Sequence, residues 1–233
     1  MNEKTILITG GDGRLATHLR NHGEADGHRV VCLDLDRMDV SDRESVERAV
    51  QEHSPDVLIH CAAVLDGDLM AGLLDTNILG TVNVVRICAR HKAKLIYIST
   101  DHVYPMTEAS HQEASPLLPF NAYGWSKLGG ECAVRTYTDS LIIRGALCVT
   151  PYPHEEAFTD IIKNPIYQDE AAGIIIKLMD RTGVINLGSE EAVSLYDFAR
   201  QTRPDVRPAA SPPEYQPRRS TVCTDRLHRE LGS

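Results

Sequence analysis

Tyr123 and Lys127 stand four residues apart in the run Tyr123-Gly124-Trp125-Ser126-Lys127. On a helix that spacing places a phenol and an ammonium on one face, one turn apart. An ordinary Tyr, with a pKa of about 10, is a poor proton donor or acceptor near neutrality. A neighbouring Lys⁺ favours the phenolate and brings the phenol toward the working range. Thr100 ends an apolar run, Ile98-Ser99-Thr100-Asp101. At the carboxyl end of a parallel strand its hydroxyl can hydrogen-bond a substrate carbonyl. A third group is Thr9-Gly10-Gly11-Asp12-Gly13-Arg14-Leu15-Ala16. Its glycines let the backbone turn tightly against a pyrophosphate, and a helix opening there offers free N–H groups and a positive dipole end. Asp34 follows about 20 residues later, where an acid can take ribose hydroxyls. Arg14 or Arg37 can instead hold a 2′-phosphate. The acid at position 34 favours NAD(H) over NADP(H). Each feature alone has an ordinary structural alternative: turn glycines, a solvated loop acid, a strand-end threonine, a surface Tyr–Lys pair.

These groups need elements to position them. Thr5–Thr9, Arg29–Leu33, Asp56–His60, Lys94–Ser99 and Leu141–Arg144 are short apolar runs that read as strands. Helical patterns lie between them: Gly13–Asn21, Asp42–Gln51, Leu73–His91 and a stretch from Ala122. The third carries Leu74, Ile78, Val82, Val85 and Ala89 on one expected stripe. Strands without polar alternation, each followed by a helix, predict an α/β fold with a doubly wound parallel sheet covered on both faces. After Val149 the pattern weakens at Pro151-Tyr152-Pro153. A helix over Asp169–Met179, a strand over Val184–Leu187 and a helix over Leu195–Arg200 capped by Ser194 are expected. Residues 203–219 hold five prolines and read as loop. The division expected is a dinucleotide-binding core over residues 1–150 and a shortened substrate region over 151–233.

Composition excludes several classes. The chain has 233 residues, 24 Lys+Arg against 33 Asp+Glu and a formal net charge of -9. That balance, without a dense basic run, argues against coating a nucleic-acid polymer. No apolar stretch is long enough to span a bilayer, and the N-terminus lacks a signal-peptide layout. The six cysteines are scattered without a Cys-x-x-Cys pair, so they read as reduced thiols of a cytoplasmic protein. The histidines show no metal-ligand spacing, and no metal is expected.

The combined motifs are Thr9-Gly10-x-x-Gly13-x-x-Ala16, His60-Cys61-Ala62-Ala63, Asn77-x-x-Gly80-Thr81, Ser99-Thr100-Asp101-x-Val103-Tyr104 and Tyr123-x-x-x-Lys127. They resemble the extended short-chain dehydrogenases/reductases, and within them the dTDP-4-dehydrorhamnose reductase group. Met38-Asp39-Val40-Ser41-Asp42, Glu113, Pro116 and Pro119 fit that branch, as do Tyr167–Ala171, Gly183–Gly188 and Arg218 or Arg219 with Ser220 and Leu227. The resemblance implies a Rossmann-type fold with a small, shortened C-terminal substrate cap. It implies hydride transfer between NAD(H) or NADP(H) and the keto group of a nucleotide-linked sugar. Tyr123 would exchange the proton, Lys127 would hold the nicotinamide ribose and tune Tyr123, and Thr100 would orient the carbonyl. Gly10, Gly13 and Arg14 would line the pyrophosphate, with Leu15 beside them. Asp34 would take the adenosine ribose, and Asp39 and Val40 would flank adenine. Cys61, Ala62, Ala63 and Ser99 would run along the cofactor, with Asn77 behind them. Val64, Asp101, His102, Arg144 and Arg218 would face the substrate. A homodimer through the Leu74–Ala89 helix and the Tyr–Lys helix is also implied.

The chain departs from that group in four places. Val64–Met70 lacks the group's aromatic and acidic stretch, and Arg144-Gly145-Ala146-Leu147 lacks its aromatic residue. His102 stands where sugar-nucleotide dehydratases carry a Glu base, which argues against a dehydratase. The chain is also shorter than its relatives between Val149 and Pro165. Two other functions stay open beside a reductase: a nucleotide-sugar epimerase that recycles its cofactor, and a non-catalytic cofactor-binding regulatory subunit.

Overall fold

The computed structural model describes residues 2–65, 69–213 and 219–232. In chain order the first elements are β1 (Thr5–Thr9), α1 (Arg14–Ala25), β2 (Arg29–Leu33), α2 (Arg43–His53) and β3 (Val57–His60). A π-helix over Leu69–Gly80 runs into α3 (Thr81–His91), followed by β4 (Lys94–Ile98), a 3₁₀ turn (Asp101–Val103), β5 (Ala109–His111) and α4 (Ala122–Val134). Then come β6 (Ser140–Cys148), β7 (Glu156–Phe158), β8 (Ile162–Lys163), β9 (Pro165–Tyr167), α5 (Gln168–Lys177) and β10 (Gly183–Leu187). The chain closes with β11 (Val193–Ser194), α6 (Leu195–Arg200), β12 (Arg207–Ala209), β13 (Ser220–Val222) and α7 (Asp225–Leu231).

The central sheet is parallel, in the order β10-β6-β4-β3-β1-β2, with β9 also paired to β6. Period-2 alternation sends neighbouring side chains to opposite faces. Ile6, Ile8, Ile59, Ile96 and Ile143 therefore pack with α1 and α5 residues such as Leu19, Ala172 and Ile175. Leu7, Leu58, Leu95 and Ile142 pack on the other side with Val46 and Val50 of α2 and Val84 and Ile87 of α3. Both faces are buried, which is why these strands carry no polar alternation. The sheet runs past residue 150, because β10 forms one edge and α5 joins the same core as β1.

Two expectations change. Residues 203–219 are not all loop: β12 pairs in parallel with β7, Arg207 opposite Glu156. A short edge pair tolerates Pro208 because only one side of the strand is paired. The stripe of the third helix also shifts. Leu73 and Asn77 turn inward while Leu74 is exposed. The wider π turn rotates the face that a 3.6-residue period assigns to Leu74 and Ile78. Ser194 caps α6 as expected, its Oγ accepting from Asp197 N at 2.9 Å; α4 starts at Ala122 as expected, with Asn121 Oδ1 accepting from Gly124 N at 2.7 Å. The six cysteines are all free. Among the described residues, no helix is long and apolar enough to cross a membrane.

Candidate active site

The strand order reverses direction between β1 and β3, and open parallel sheets place ligands at the carboxyl ends of strands beside such a point. A cavity of about 580 Å³ lies there. One end is the glycine turn after β1. Gly10 has φ +68, and a Cβ on it would lie 2.9 Å from the backbone of Ala62 after β3. Only glycine fits that conformation and that approach together. The first turn of α1 begins at Gly13 with no side-chain cap, leaving backbone N–H groups for an anion. Gly10, Gly13, Arg14, Leu15, Cys61 and Ala63 line this end.

Asp34 Oδ1 sits at the end of β2, buried with no hydrogen-bond partner. The Asp34 carboxylate pushes the neighbouring Asp12 carboxyl up, by hydrogen bonding and repulsion. Asp34 is not in the cavity wall, but an acceptor oxygen left without a partner at the end of β2 suits a diol donor such as ribose. Turn, helix end and acceptor thus fit a dinucleotide.

Thr100, Tyr123 and Lys127 line the same cavity. Thr100 caps the 3₁₀ turn, with its Oγ1 accepting from His102 N at 3.2 Å and donating to Asp101 Oδ1 at 3.3 Å. Gly124 lets α4 press on that turn, since a Cβ there would lie 2.5 Å from His102 O. The His102 ring meets Tyr123 edge-on at 5.9 Å and Phe120 at 4.8 Å. Its Nδ1 lies 3.2 Å from Asn121 Nδ2. Asn77 braces the neighbourhood: Oδ1 accepts from Val64 N at 2.8 Å, and Nδ2 donates to Val64 O and Ser126 Oγ, both at 2.9 Å.

The proton affinities differ from the expected tuning. Burial pushes the Tyr123 phenol up to about 12, with the Asp101 carboxylate adding to it. Burial also pushes Lys127 down to about 7, so its ammonium is not a permanent charge beside the phenol. Lys127 is 2% exposed and lies 4.1 Å above the Tyr97 ring. Between pH 7 and the ordinary Lys range the unfolded chain binds a proton that the fold does not. Stability therefore rises with pH across that window. Urea midpoints measured from pH 7 to about 8.5 compare the native chain with Lys127→Met. Both carry the same thiols, which titrate at about 8.5 when unfolded, so that contribution cancels and the native midpoints are expected to gain on the variant's as pH rises. Parallel curves would contradict this.

Arg144, expected to face the substrate, is not in the cavity wall. It is fully buried, with Nη2 2.6 Å from Glu131 Oε2 and Nη1 donating to Tyr104 Oη at 2.9 Å. Ser99 donates to Glu131 Oε1 at 2.5 Å, so its hydroxyl belongs to the same buried network although Ser99 lines the cavity. A guanidinium this deep in β6 must be paired, and α4, packed beside that strand, supplies the partner, Glu131. Asp39 Oδ1 is held by Ser41 N at 2.8 Å, Val40 is 4% exposed in the core, and neither is in the cavity wall. Ala62, Val64 and Asn77 stand behind that wall, whereas Asp101 and His102 are in it. Arg218 and Asp66–Asp68 lie outside the described residues.

Several lining residues escape sequence reasoning, among them Met106, Phe120, Phe158, Gln168 and Lys163. Lys163 Nζ donates to Asp101 Oδ2 at 2.5 Å across 62 residues of chain. No local spacing connects the two. Burial alone would push Asp101 up, but Lys163, His102 and hydrogen bonds hold it down to about 2.

A family model described as the RmlD substrate binding domain matches residues 4–159. The dTDP-4-dehydrorhamnose reductase of Mycolicibacterium smegmatis is 27% identical over 223 residues, covering 84% of this chain and 68% of the relative. The crystal structure of dTDP-4-dehydrorhamnose reductase from Bacillus anthracis in complex with NADP superposes with a TM-score of 0.87 at 24% identity, covering 98% of this chain and 92% of that one. The Bordetella bronchiseptica enzyme WbmG in complex with NAD gives 0.84 at 21% identity, covering 99% and 88%.

Proposed function

The chain belongs to the RmlD substrate binding domain family, and we propose that it is an NAD(P)-dependent oxidoreductase that reduces the keto group of a nucleotide-linked deoxysugar. The observation that carries this reading is that Thr100, Tyr123 and Lys127 line the same cavity as the glycine turn and open helix end. A bound reduced nicotinamide supplies the hydride. The Tyr123 hydroxyl donates the proton to the carbonyl oxygen. A phenol held to about 12 stays protonated across the physiological range and is a donor by default. Thr100, its oxygen fixed by the His102 N–H, donates a hydrogen bond that orients and polarises the carbonyl. Lys127 lies one turn along α4, where a ribose hydroxyl or an adjacent negative charge would favour its ammonium form. Gly10, Gly13 and Arg14 hold the pyrophosphate, and Asp34 takes the adenosine ribose. Residues 1–150 form the cofactor side in this reading, while Lys163, Leu195 and Ser220 line the cavity from 151–233.

The test is net loss of reduced cofactor on adding a dTDP-4-keto-6-deoxysugar, with NADH and NADPH separately. Sugar turnover without net loss would favour an epimerase. Tight cofactor binding without any turnover would favour a regulatory subunit. The Asp34 carboxylate, with Oδ1 free of partners among the described residues and Asp12 beside it, supports NADH, since two acids repel a 2′-phosphate. Asp34→Ser is expected to raise kcat/KM for NADPH relative to NADH by about tenfold, a loss of roughly 1.4 kcal/mol in discrimination. An unchanged ratio in initial rates would remove Asp34 from cofactor selection. A homodimer belongs to the same proposal, because Leu74 and Trp125 are exposed on the two helices expected to pair. A monomer by light scattering at working concentration would end it.

A further inference from the structure

We propose that Lys163 is a positioning residue for the reduction: its ammonium holds Asp101 Oδ2 so that the Thr100 hydroxyl keeps its proton for the substrate carbonyl. This rests on the ketone-reductase reading of the same cavity. A threonine hydroxyl has one proton to give. The Thr100 oxygen is already fixed as an acceptor by the His102 N–H at 3.2 Å. Among the described residues its proton has one acceptor at rest, Asp101 Oδ1, at 3.3 Å. That is long for an O–H···O bond, which runs at about 2.7–2.8 Å, so the proton is loosely held and can be redirected to a ligand.

The looseness depends on the other carboxylate oxygen being satisfied. Lys163 Nζ contacts Oδ2 at 2.5 Å, and the two side chains are 16% and 11% exposed. Ion pairs this sheltered are strongly coupled, because little water screens them. His102 also faces Asp101, with Nε2 3.9 Å from Oδ1. Burial depresses the imidazole, so it is a weak substitute for the ammonium. Without Lys163 the carboxylate becomes a buried anion short of a donor, and the nearest hydroxyl is that of Thr100. The same uncompensated charge faces Tyr123, and it opposes the negative charge that grows on the phenol oxygen as the proton leaves. Both effects act on the chemical step rather than on binding. Lys163 sits on β8, a two-residue strand tied to β11 by Val193 opposite Lys163. The cation is thus delivered from the C-terminal part of the chain to a residue in the 3₁₀ turn that follows β4.

The experiment compares the native chain with Lys163→Met, Lys163→Arg, Asp101→Asn and the Lys163→Met/Asp101→Asn pair. Reduced-cofactor consumption with a dTDP-4-keto-6-deoxysugar gives kcat and KM, cofactor fluorescence gives Kd, and thermal melts report folding. Lys163→Met is expected to lower kcat about tenfold or more with KM and Kd within about twofold, the pattern of an interaction needed only in the transition state. Lys163→Arg should restore kcat to within about threefold, and Asp101→Asn should recover most of the loss in the Met background, a coupling that independent sites do not show. If Lys163→Met melts early, Lys163→Gln serves as the neutral variant. Native kcat in the neutral variant, a loss carried by KM, or a loss that Asp101→Asn deepens would each overturn the inference. No turnover by the native chain would overturn the reductase reading itself, and this inference with it.

Discussion

Tyr123→Phe lowers kcat for ketone reduction by about 10²–10⁴-fold, the usual contribution of a positioned general acid. The substitution removes one oxygen and keeps the ring, so the edge-on contact with His102 at 5.9 Å survives. α4 keeps its Asn121 cap and its Ser126–Asn77 bond. The cofactor end of the cavity lies on different elements, the turn after β1 and the start of α1. The cofactor Kd should therefore stay within about twofold, and KM should move little, since the proton is transferred only in the transition state. Steady-state rates with a fluorescence titration separate the two quantities. A Tyr123→Phe chain with unchanged kcat would take the proton donor away from this helix.

The second large effect concerns stability. Arg144→Met leaves Glu131 as an unpaired carboxylate at 0% exposure. Breaking a buried pair from one side costs about 3–5 kcal/mol. For a chain of this size that is a fall in Tm of roughly 10 °C. Arg144 loses more than one partner, because Nε and Nη2 fork onto Glu131 while Nη1 reaches Tyr104 Oη and Glu113 O. Adding Glu131→Met to Arg144→Met should return much of the loss, since the orphaned charge goes with it. Thermal melts of the two single variants and the double decide the matter. A double variant less stable than either single would show that the ion pair stabilises the fold beyond satisfying its own charges. Glu131 also accepts from Ser99, the residue before Thr100, so the single variants should lose activity along with stability.

The motifs that could be read from the sequence are those in which chemistry and local geometry share a short stretch of chain. Tyr123 and Lys127 needed only a helix, and the glycine turn needed only a strand before it and a helix after it. The buried strands were visible because both faces of the sheet are covered, so Ile6, Leu7 and Ile8 could all be apolar. The parts that could not be read depend on distance along the chain. Lys163 on a two-residue strand meets Asp101 on a three-residue 3₁₀ turn, both too short to show a period. The stripe on the third helix failed because a π turn is not encoded in a 3.6-residue pattern. Arg144 as a substrate contact rested on the resemblance alone; its partner, Glu131, sits on a different element, so no local pattern in the apolar strand shows the pair. The expected tuning of Tyr123 by Lys127 treated the ammonium as permanent. Burial at 2% exposure removes that permanence.

The central claim is that a hydride passes from the cofactor to the keto carbon of the substrate while Tyr123 supplies the proton. Reduced nicotinamide carrying deuterium at the transferred position tests it most directly, with product followed by mass spectrometry. The account predicts one deuterium on the former keto carbon for each cofactor oxidised, and almost none in the Tyr123→Phe chain. Sugar product without deuterium, formed while the cofactor pool stays reduced, would contradict it.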